Sequence, residues 1–548
     1  MKRDACVSSR WRLQMEAMRQ ALRDPDVVYR RRWLTLLVLC ISLIVITLDN
    51  TILNVAIPTL ARPVAEGGLG ASASQLQWIV DAYTLVFAGL LLTAGSLGDR
   101  FGRYKFLALG LAVFGVGSAL SAMASSATVL IGTRALMGVG GAFIMPATLS
   151  IITNVFTEPA ERGRAIGVWA GVSALGIGLG PLIGGILLEH FWWGSVFIVN
   201  VPIVIAGLIL GFFLVPESSD PAHTGLDPLG AVLSIVALGS ILWSVIEAPS
   251  HGWGAPEIVT GFVVGLVVLG GFFAWELHTD HPMLDIHFFE NPRFSAASGA
   301  ITLVFLSLFG TLFLMTQYLQ SVLGYSTVKA GAVLLPQAVM LMIFAPLSSV
   351  WVQRFGNKVV VATGLVIVAA SFVLFTTFHA DSAAWHIIAV TMVMGLGMAN
   401  VMAPCTDSIM GSLPRAKAGV GSAVNDTTRQ MGGAIGVAVF GSLMASHFTQ
   451  NVTNKVGDLL PAGLLTQIRD NVGEAIGVAH NSPVAKPFAG PIIAAANSSF
   501  VSGLHLIGLV AAAITLVAAL GVVLFLPARA RDERPVVEEE RVPVGVAS

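Results

Sequence analysis

Three ionisable residues lie inside long apolar stretches, where a charge is costly and usually serves a function. Asp49 lies eight residues before the end of its stretch, Asp81 six residues after the start of a second, and Arg134 seven after the start of a third. At 1.5 Å per residue, all three are about 9–12 Å below the same membrane edge. Burial favours a neutral acid and a nearby arginine favours the carboxylate, so changes around such a cluster could load and release a proton.

Asp49 is our candidate proton carrier, Arg134 its modulator and Asp81 a second acid. Each has a plainer explanation. Asp49 could bond locally to Thr51 or Asn54, Arg134 could belong to a static structural pair, and Asp81 could line the outer vestibule.

A second acid–base pair occurs in a later apolar stretch. Asp426 and Arg429 are three residues apart, so they could neutralise each other along one helix. We also keep Asp426 as a candidate proton site, and we place Asn425 and Arg429 in a candidate substrate cavity. Asp407, near the end of another stretch, is a candidate gate residue.

Large side chains facing a central cavity would suit a bulky apolar ligand. The candidates are Phe143, Met145, Trp169 and Gln317. Packing against lipid is the alternative for each of them.

The composition explains why these charges are so isolated. The chain has 548 residues, of which 55% are apolar and 11% charged, and its net charge is -1. Soluble domains carry about 25% charged residues, so this chain is predicted to be an all-α polytopic membrane protein. The near-zero net charge argues against a nucleic-acid partner. Fourteen stretches have the length of a spanning helix, near 34–57, 75–96, 106–123, 127–150, 162–188, 194–215, 228–247, 256–276, 296–320, 327–352, 357–378, 383–411, 416–445 and 499–526.

Lys and Arg are concentrated in alternate loops. With both termini on one side, that side holds 23 of the 30 basic residues. Because basic loops stay in the cytoplasm, we expect both termini there and a multi-pass protein of the cell membrane.

An internal repeat divides the chain. The segment 137–151 returns with one insertion as 394–409, and 100–102 returns as 354–356, at offsets of 257 and 254 residues. The repeat predicts two six-helix bundles with two inserted helices between them. The resulting divisions are a basic arm 1–33, a first bundle 34–215, a linker with the inserted helices 216–295, a second bundle 296–526 with an outer loop 446–498, and a tail 527–548.

The loop at 95–105 combines glycines, one acid and several bases. The acid could lie against a helix N-terminus in the other half and hold one conformation closed; anchoring of the topology is the alternative. The candidate gating residues are Gly95, Asp99, Arg100, Gly102 and Arg103. The second copy has Gln353 in place of the acid, so we expect an asymmetric gate.

Glycines recur every four residues in the fifth stretch. Gly176, Gly180 and Gly184 share one helix face, and Pro181 removes a backbone hydrogen bond. We expect a smooth, bendable face at a moving seam between the halves; ordinary close helix packing is the alternative.

Four strings together resemble a known family. The loop 95–105 resembles the signature loop of the major facilitator superfamily, and 48–58 resembles the first-helix motif of its fourteen-helix drug:proton antiporters. The strings 134–140 and 176–185 resemble the family's basic and antiporter motifs. The resemblance covers about residues 34–526.

The resemblance implies the major facilitator fold and proton-driven export of amphiphilic compounds, including drugs, by alternating access. The partners would be a small amphiphilic substrate, protons and the lipid bilayer, with no cofactor, and we expect a monomer. Export of an endogenous lipid or metabolite is an alternative, and so is a receptor or scaffold without transport activity. The sequence shows no Walker A string, enzyme-like nucleophile or metal-binding cysteine pattern.

Overall fold

The computed structural model describes residues 24–527 except 62–63, 65–66, 72, 220–226, 281 and 470–471. Within these residues the chain is helical without strands, and fourteen helices are long and apolar enough to cross a membrane. The helices are α1 Pro25–Ala61, α2 Ala73–Phe101, α3 Arg103–Ala122, α4 Ala127–Val155, α5 Pro159–His190, α6 Asn200–Leu214, α7 Pro228–His251, α8 Pro256–Glu276, α9 Pro292–Gln317, α10 Thr327–Phe355, α11 Asn357–Leu374, α12 Ala384–Gly411, α13 Ala418–Val456 and α14 Ala489–Phe525.

Proline and glycine set many helix ends. Prolines begin α5, α7, α8 and α9, where the missing N–H would have no partner in the helix. Gly102 separates α2 from α3 with φ 119°, and Gly356 separates α10 from α11 with φ 85°. The two repeated loops therefore turn in the same way, in a backbone region that favours glycine.

The predicted fold class is confirmed. Helices α1–α6 form one half, in which α4 packs on α2 and α3 while α5 packs on α1. Helices α9–α14 form the other half, in which α13 packs on α9 and α12 packs on α10 and α11. The halves meet where α5 lies along α10 and where α2 and α4 touch α13. We call the end where α1 begins and α14 finishes the basic end.

The inserted helix α7 touches both halves. It contacts α2 and also α13. Ile241 and Val245 of α7 cluster with Ala438 of α13, and Trp253 donates a hydrogen bond of 2.8 Å to Ser442 of α13. Helix α7 therefore lies beside the α2–α13 contact.

The first helix starts earlier than the sequence predicts. It begins at Pro25 rather than near residue 34, and Arg32 bonds to Glu161 of α5 at 2.9 Å. Part of the predicted arm 1–33 is thus helix. The rest of that arm, 1–23, and the tail from 528 onward lie outside the described residues.

The segment 446–498, which the sequence left unassigned, is largely helical. Helix α13 continues to Val456, two short helices follow at Ala462–Ile468 and Val472–Asn481, and α14 starts at Ala489. Buried apolar side chains on all four helices pack together, among them Phe448, Val452, Ile468, Val472, Ala475, Ile492 and Phe500. The predicted loop is therefore a small helical layer whose apolar side chains continue the main core of the protein.

Helix α5 presents one glycine face to α1 and another to α10. A Cβ on Gly176 or Gly180 would collide with Thr47 or Thr51 of α1, and one on Gly184 would lie 2.9 Å from the Ile52 side chain. These three glycines therefore pack within the first half. Their predicted place on the seam between the halves is wrong, because a four-residue spacing shows a close contact without naming the partner helix.

The seam itself uses other small residues of α5. A Cβ on Gly167 would lie 2.6 Å from the Ala345 carbonyl oxygen, and one on Gly171 2.7 Å from Met342 Cα. Pro181 does face α10, because a Cβ on Gly331 would lie 3.1 Å from Pro181 Cβ.

Replacing Gly180 by valine should destabilise the first half, since the new side chain would collide with Thr51. We expect a loss of about 1–3 kcal/mol in the free energy of unfolding, seen as a lower thermal midpoint in detergent. Gly270→Val is the matched control, because no atom lies within 4 Å of its Cβ position. Equal midpoints for the two variants would contradict the packing described.

Candidate functional site

The loop between α2 and α3 closes onto the start of α13 at the basic end. Asp99 accepts the backbone N–H of Gly419 at 2.8 and 2.9 Å and that of Val420 at 3.1 Å. The first-turn N–H groups of a helix have no acceptor within it and carry the positive end of its dipole. The carboxylate of one half thus caps a helix of the other.

Arg103 extends this contact. Its Nε donates to Asp99 Oδ1 at 2.7 Å, and its Nη2 donates to the carbonyls of Arg415 at 2.9 Å and Ala416 at 2.8 Å. The side chain is 1% exposed. We call Asp99, Arg103 and the helix start they bind the basic-end latch.

Gly95 allows the backbones to approach closely enough for the latch. A Cβ there would lie 2.5 Å from the Gly419 carbonyl oxygen and 2.8 Å from Ala423 Cβ. The Arg100 guanidinium lies 5.2 Å from the centroid of the Phe101 ring.

The position equivalent to Asp99 in the second half, Gln353, is exposed. A second contact between the halves is made elsewhere, by Arg162 of α5, whose Nε lies 2.9 Å from Asp407 Oδ1 of α12. Arg415 also donates to the Thr157 carbonyl at 2.9 Å. The contacts between the halves at this end are therefore asymmetric.

Glu217 supports the latch and was missed in the sequence. Its Oε1 accepts the backbone N–H of Tyr104 at 3.1 Å, while the Arg103 N–H donates to the Ser218 carbonyl at 2.9 Å. A Cβ on Gly102 would lie 2.7 Å from Glu217 Oε1. Burial raises the pKa of Glu217, and the Tyr104 N–H offsets part of that shift. An acid just after the sixth span, on the basic side, was the available signal.

Asp49 and Arg134 form a fully buried pair inside the first half. Arg134 Nη1 donates to Asp49 Oδ2 at 2.5 Å, and its Nε donates to the Ile79 carbonyl at 3.0 Å. Asn200 donates to Asp49 Oδ1 at 3.0 Å, and the Tyr83 ring centroid lies 4.5 Å from the guanidinium. Both carboxylate oxygens therefore have a donor, and each charge is neutralised.

Thr51, Asn54 and Asp81 are the other polar residues that the sequence placed near Asp49 and Arg134. Thr51 donates to backbone carbonyls of its own helix rather than to Asp49, and the side chain of Asn54 lies outside the described part. Asp81 is partly buried, and Ile79 and Tyr83 of the same helix contact Arg134; its part in the cluster stays a prediction.

Asp426 and Arg429 form a looser pair on the seam. Arg429 Nη1 lies 3.7 Å from Asp426 Oδ1, beyond hydrogen-bonding distance, and Asn425 donates to that oxygen at 3.3 Å. The guanidinium carbon lies 5.1 Å from the Trp169 ring centroid and 4.8 Å from that of Phe305. Because Trp169 belongs to α5, this pair lies where the two halves meet.

Several polar atoms of this pair have no partner. Arg429 Nε, Arg429 Nη2 and Asp426 Oδ2 are buried without a hydrogen-bond partner among the residues described. The pair in the first half has no such atoms on its charged groups. Each half thus holds a buried Asp–Arg pair, but only in the first half are the hydrogen-bonding groups of the pair fully used.

The candidate cavity residues divide into two groups. Trp169 is buried at the seam and donates to Thr148 at 3.1 Å, while Asn425 accepts the Thr406 hydroxyl at 3.1 Å. Met145 and Gln317 are partly buried. Phe143 packs edge-to-face on Phe106 of α3 with centroids 5.1 Å apart, and its place in the substrate cavity stays a prediction.

Comparison with known proteins identifies the family. The model of the Major Facilitator Superfamily matches residues 39–437. The chain belongs to the major facilitator superfamily. This family consists of transporters, so the chain is a transporter.

Relatives within the superfamily match almost end to end. The multidrug efflux pump LfrA of Mycolicibacterium smegmatis is 39% identical over 493 residues, which cover 89% of this chain and 95% of LfrA. The tetracenomycin C resistance and export protein of Streptomyces glaucescens is 34% identical, covering 94% of this chain and 95% of that protein. The methyl viologen resistance protein SmvA of Salmonella typhimurium is 35% identical, covering 86% and 93%.

Solved structures agree with the fold. The proton:xylose symporter XylE has a TM-score of 0.57 at 14% identity, covering 91% of this chain and 96% of that one. The human organic anion transporter MFSD10 has a TM-score of 0.56 at 14% identity, covering 89% and 99%. At these identities the likeness concerns the major facilitator fold alone.

Asp99→Asn should loosen the basic-end latch, because an amide removes the negative charge at the α13 dipole and the Arg103 ion pair. Spin labels at the exposed positions Arg164 and Arg354, one in each half, should show a larger share of long distances. Gln353→Ala, at the repeat-equivalent position, is the control and should leave the distances unchanged. A wild-type distance distribution in Asp99→Asn would argue against the latch.

The Glu217 carboxyl should make stability pH-dependent. Its raised pKa means that the folded protein holds the proton more tightly than the unfolded chain. That contribution is present below the unfolded value of 4.5 and is lost as the pH rises through the folded value. The thermal midpoint of wild type should therefore fall relative to Glu217→Gln as the pH is raised from 4.5.

The control for this measurement is Glu189→Gln, which changes an exposed carboxyl at the end of α5. A difference between wild type and Glu217→Gln that stays constant with pH would contradict the assignment.

Proposed function

We propose that the protein exports amphiphilic small molecules, drugs among them, in exchange for protons. One observation carries this proposal: proteins described as drug pumps or drug-resistance proteins match 86–94% of the chain. Relatives that match the chain over nearly its whole length are expected to share the mode of transport.

We place the basic end in the cytoplasm, with both termini on that side of the cell membrane. The support is the distribution of Lys and Arg, with 23 of 30 on this side. The basic-end latch and the Arg162–Asp407 pair then close the cytoplasmic entrance. Loading a compound from the cytoplasm requires these contacts to open, and their closure commits the compound to release outside.

Proton exchange is assigned to buried carboxyls. Protonation of Asp49 would remove its charge and weaken its bond to Arg134, which also holds α2 through Ile79. The proton would thereby change how α1, α2 and α4 pack. Asp426 is the second proton site of the proposal, since its Oδ2 lacks a donor and it borders the seam. Asp81 remains a candidate for passing protons to Asp49.

The substrate would bind between the halves near Trp169, Asn425 and Arg429. The protein would act as a monomer, without a cofactor, and draw its energy from the proton gradient. In this proposal the halves rock against each other at the start of α13 and along the small residues between α5 and α10.

Proteoliposomes with a trapped pH dye test the exchange directly. Under an imposed proton gradient, ethidium and a panel of lipophilic cations, neutral antibiotics and lipids are added in turn. We expect at least one compound to drive proton flux with wild type and with Glu189→Gln. Asp49→Asn and Asp426→Asn should abolish or strongly reduce that flux.

The outcomes separate the alternatives. Compound movement without proton flux would sink the coupling and leave a facilitator. Flux driven only by lipids would point to an endogenous lipid as the substrate. Binding without movement of any compound would favour a receptor.

A further inference from the structure

The two buried arginines, Arg134 and Arg429, differ in how many of their nitrogens are hydrogen-bonded. What we infer from this difference rests on the proposed transport function. Arg134 donates two hydrogen bonds to oxygens, from Nε to the Ile79 carbonyl at 3.0 Å and from Nη1 to Asp49 at 2.5 Å. Arg429 is also buried, with a side chain 6% exposed, yet its Nε and Nη2 have no partner among the described residues. A buried guanidinium without acceptors is costly, so a purely structural arginine should look like Arg134.

The two unpartnered nitrogens of Arg429 form one edge of the guanidinium. Two parallel N–H groups on such an edge match two oxygens held side by side, as in a carboxylate. The aromatic rings of Trp169 and Phe305 lie 5.1 and 4.8 Å from the guanidinium carbon and offer apolar surface beside it. The nearest carboxylate, Asp426, approaches only to 3.7 Å and through the other nitrogen, Nη1.

The carboxylate of Asp426 also has an oxygen whose capacity to accept hydrogen bonds is not fully used. Asp426 Oδ2 is buried and accepts no well-aligned hydrogen bond from the described residues, although the Ser422 hydroxyl lies close to the carboxylate, and Asp426 is 1% exposed. A ligand that presents an oxygen pair to Arg429 and a cationic or N–H group to Asp426 would satisfy both. The carboxylate form of Asp426 is needed for the second contact, so such a ligand would compete with a proton.

We propose that Arg429 is the specificity-determining residue of the transport site, and that its Nε–Nη2 edge binds a carboxylate of an amphiphile whose cationic group contacts Asp426. Trp169 of the other half covers the guanidinium in the closed seam. The edge becomes accessible when the halves part, which places ligand binding and seam closure at the same residue.

Two dyes that differ in one group test the proposal. Rhodamine 110 carries a free carboxylate, and rhodamine 123 is its methyl ester with the same cationic ring system. Binding to the full-length protein in nanodiscs is measured by fluorescence anisotropy. Wild type should bind the acid more tightly than the ester, by about tenfold, because one charge-assisted oxygen pair is lost in the ester.

Variants of the protein show which residue causes the preference for the acid. Arg429→Lys keeps the charge but has no two-pronged edge, so it should lose the preference for the acid while binding the ester within about twofold of wild type. Asp426→Asn should weaken both dyes, because both carry the cation. Arg354→Lys, an exposed arginine of the same half, is the control and should keep the wild-type preference.

The proposal is overturned if wild type binds neither dye, binds both equally or prefers the ester. It is also overturned if Arg429→Lys keeps the acid preference, or if it weakens both dyes alike, which would mark Arg429 as structural. Proton-coupled movement of rhodamine 123 together with any of these results would leave the transport function standing and remove only the carboxylate assignment.

Discussion

A charge placed inside an apolar helical bundle must be neutralised locally, because neither water nor lipid headgroups reach it. The described structure meets this requirement in three ways. Asp49 and Arg134 are paired and bonded throughout. Asp99 is neutralised by Arg103 and by the end of a helix that belongs to the other half. Asp426 and Arg429 are paired only loosely. The first arrangement stabilises one half, the second joins the halves, and the third leaves bonding capacity at the seam.

Much of this could be predicted from the sequence, for physical reasons. Helix number follows from apolar length, and the common depth of Asp49 and Arg134 follows from the rise per residue. The place of Asp99 beside a helix start follows from an acid kept at a span end. Each of these arguments needs only local sequence and the thickness of a bilayer.

Other features depend on which helices become neighbours, and local sequence does not contain that. The glycines at 176, 180 and 184 announce a close contact, but only the packing shows that α1 is the partner. Arg162 and Asp407 are 245 residues apart, so nothing in their surroundings suggests a pair. Glu217 and Asn200 were missed because a lone polar residue near a span end has many ordinary explanations. The repeat placed the inserted helices between the two bundles along the chain, but only the packing shows that α7 contacts α2 and α13.

Helices α13 and α14 have 39 and 37 residues, which makes each about 25 Å longer than the apolar core of a bilayer is thick. Both belong to the second half, and the short helices between them pack onto their extensions. The extended ends of α13 and α14 therefore move together with the second half of the molecule. A small tilt of that half moves the far tip through a larger arc than any residue inside the membrane. The position of these helix ends is therefore a place where the rocking proposed for the two halves can be measured, at a distance from the buried charges.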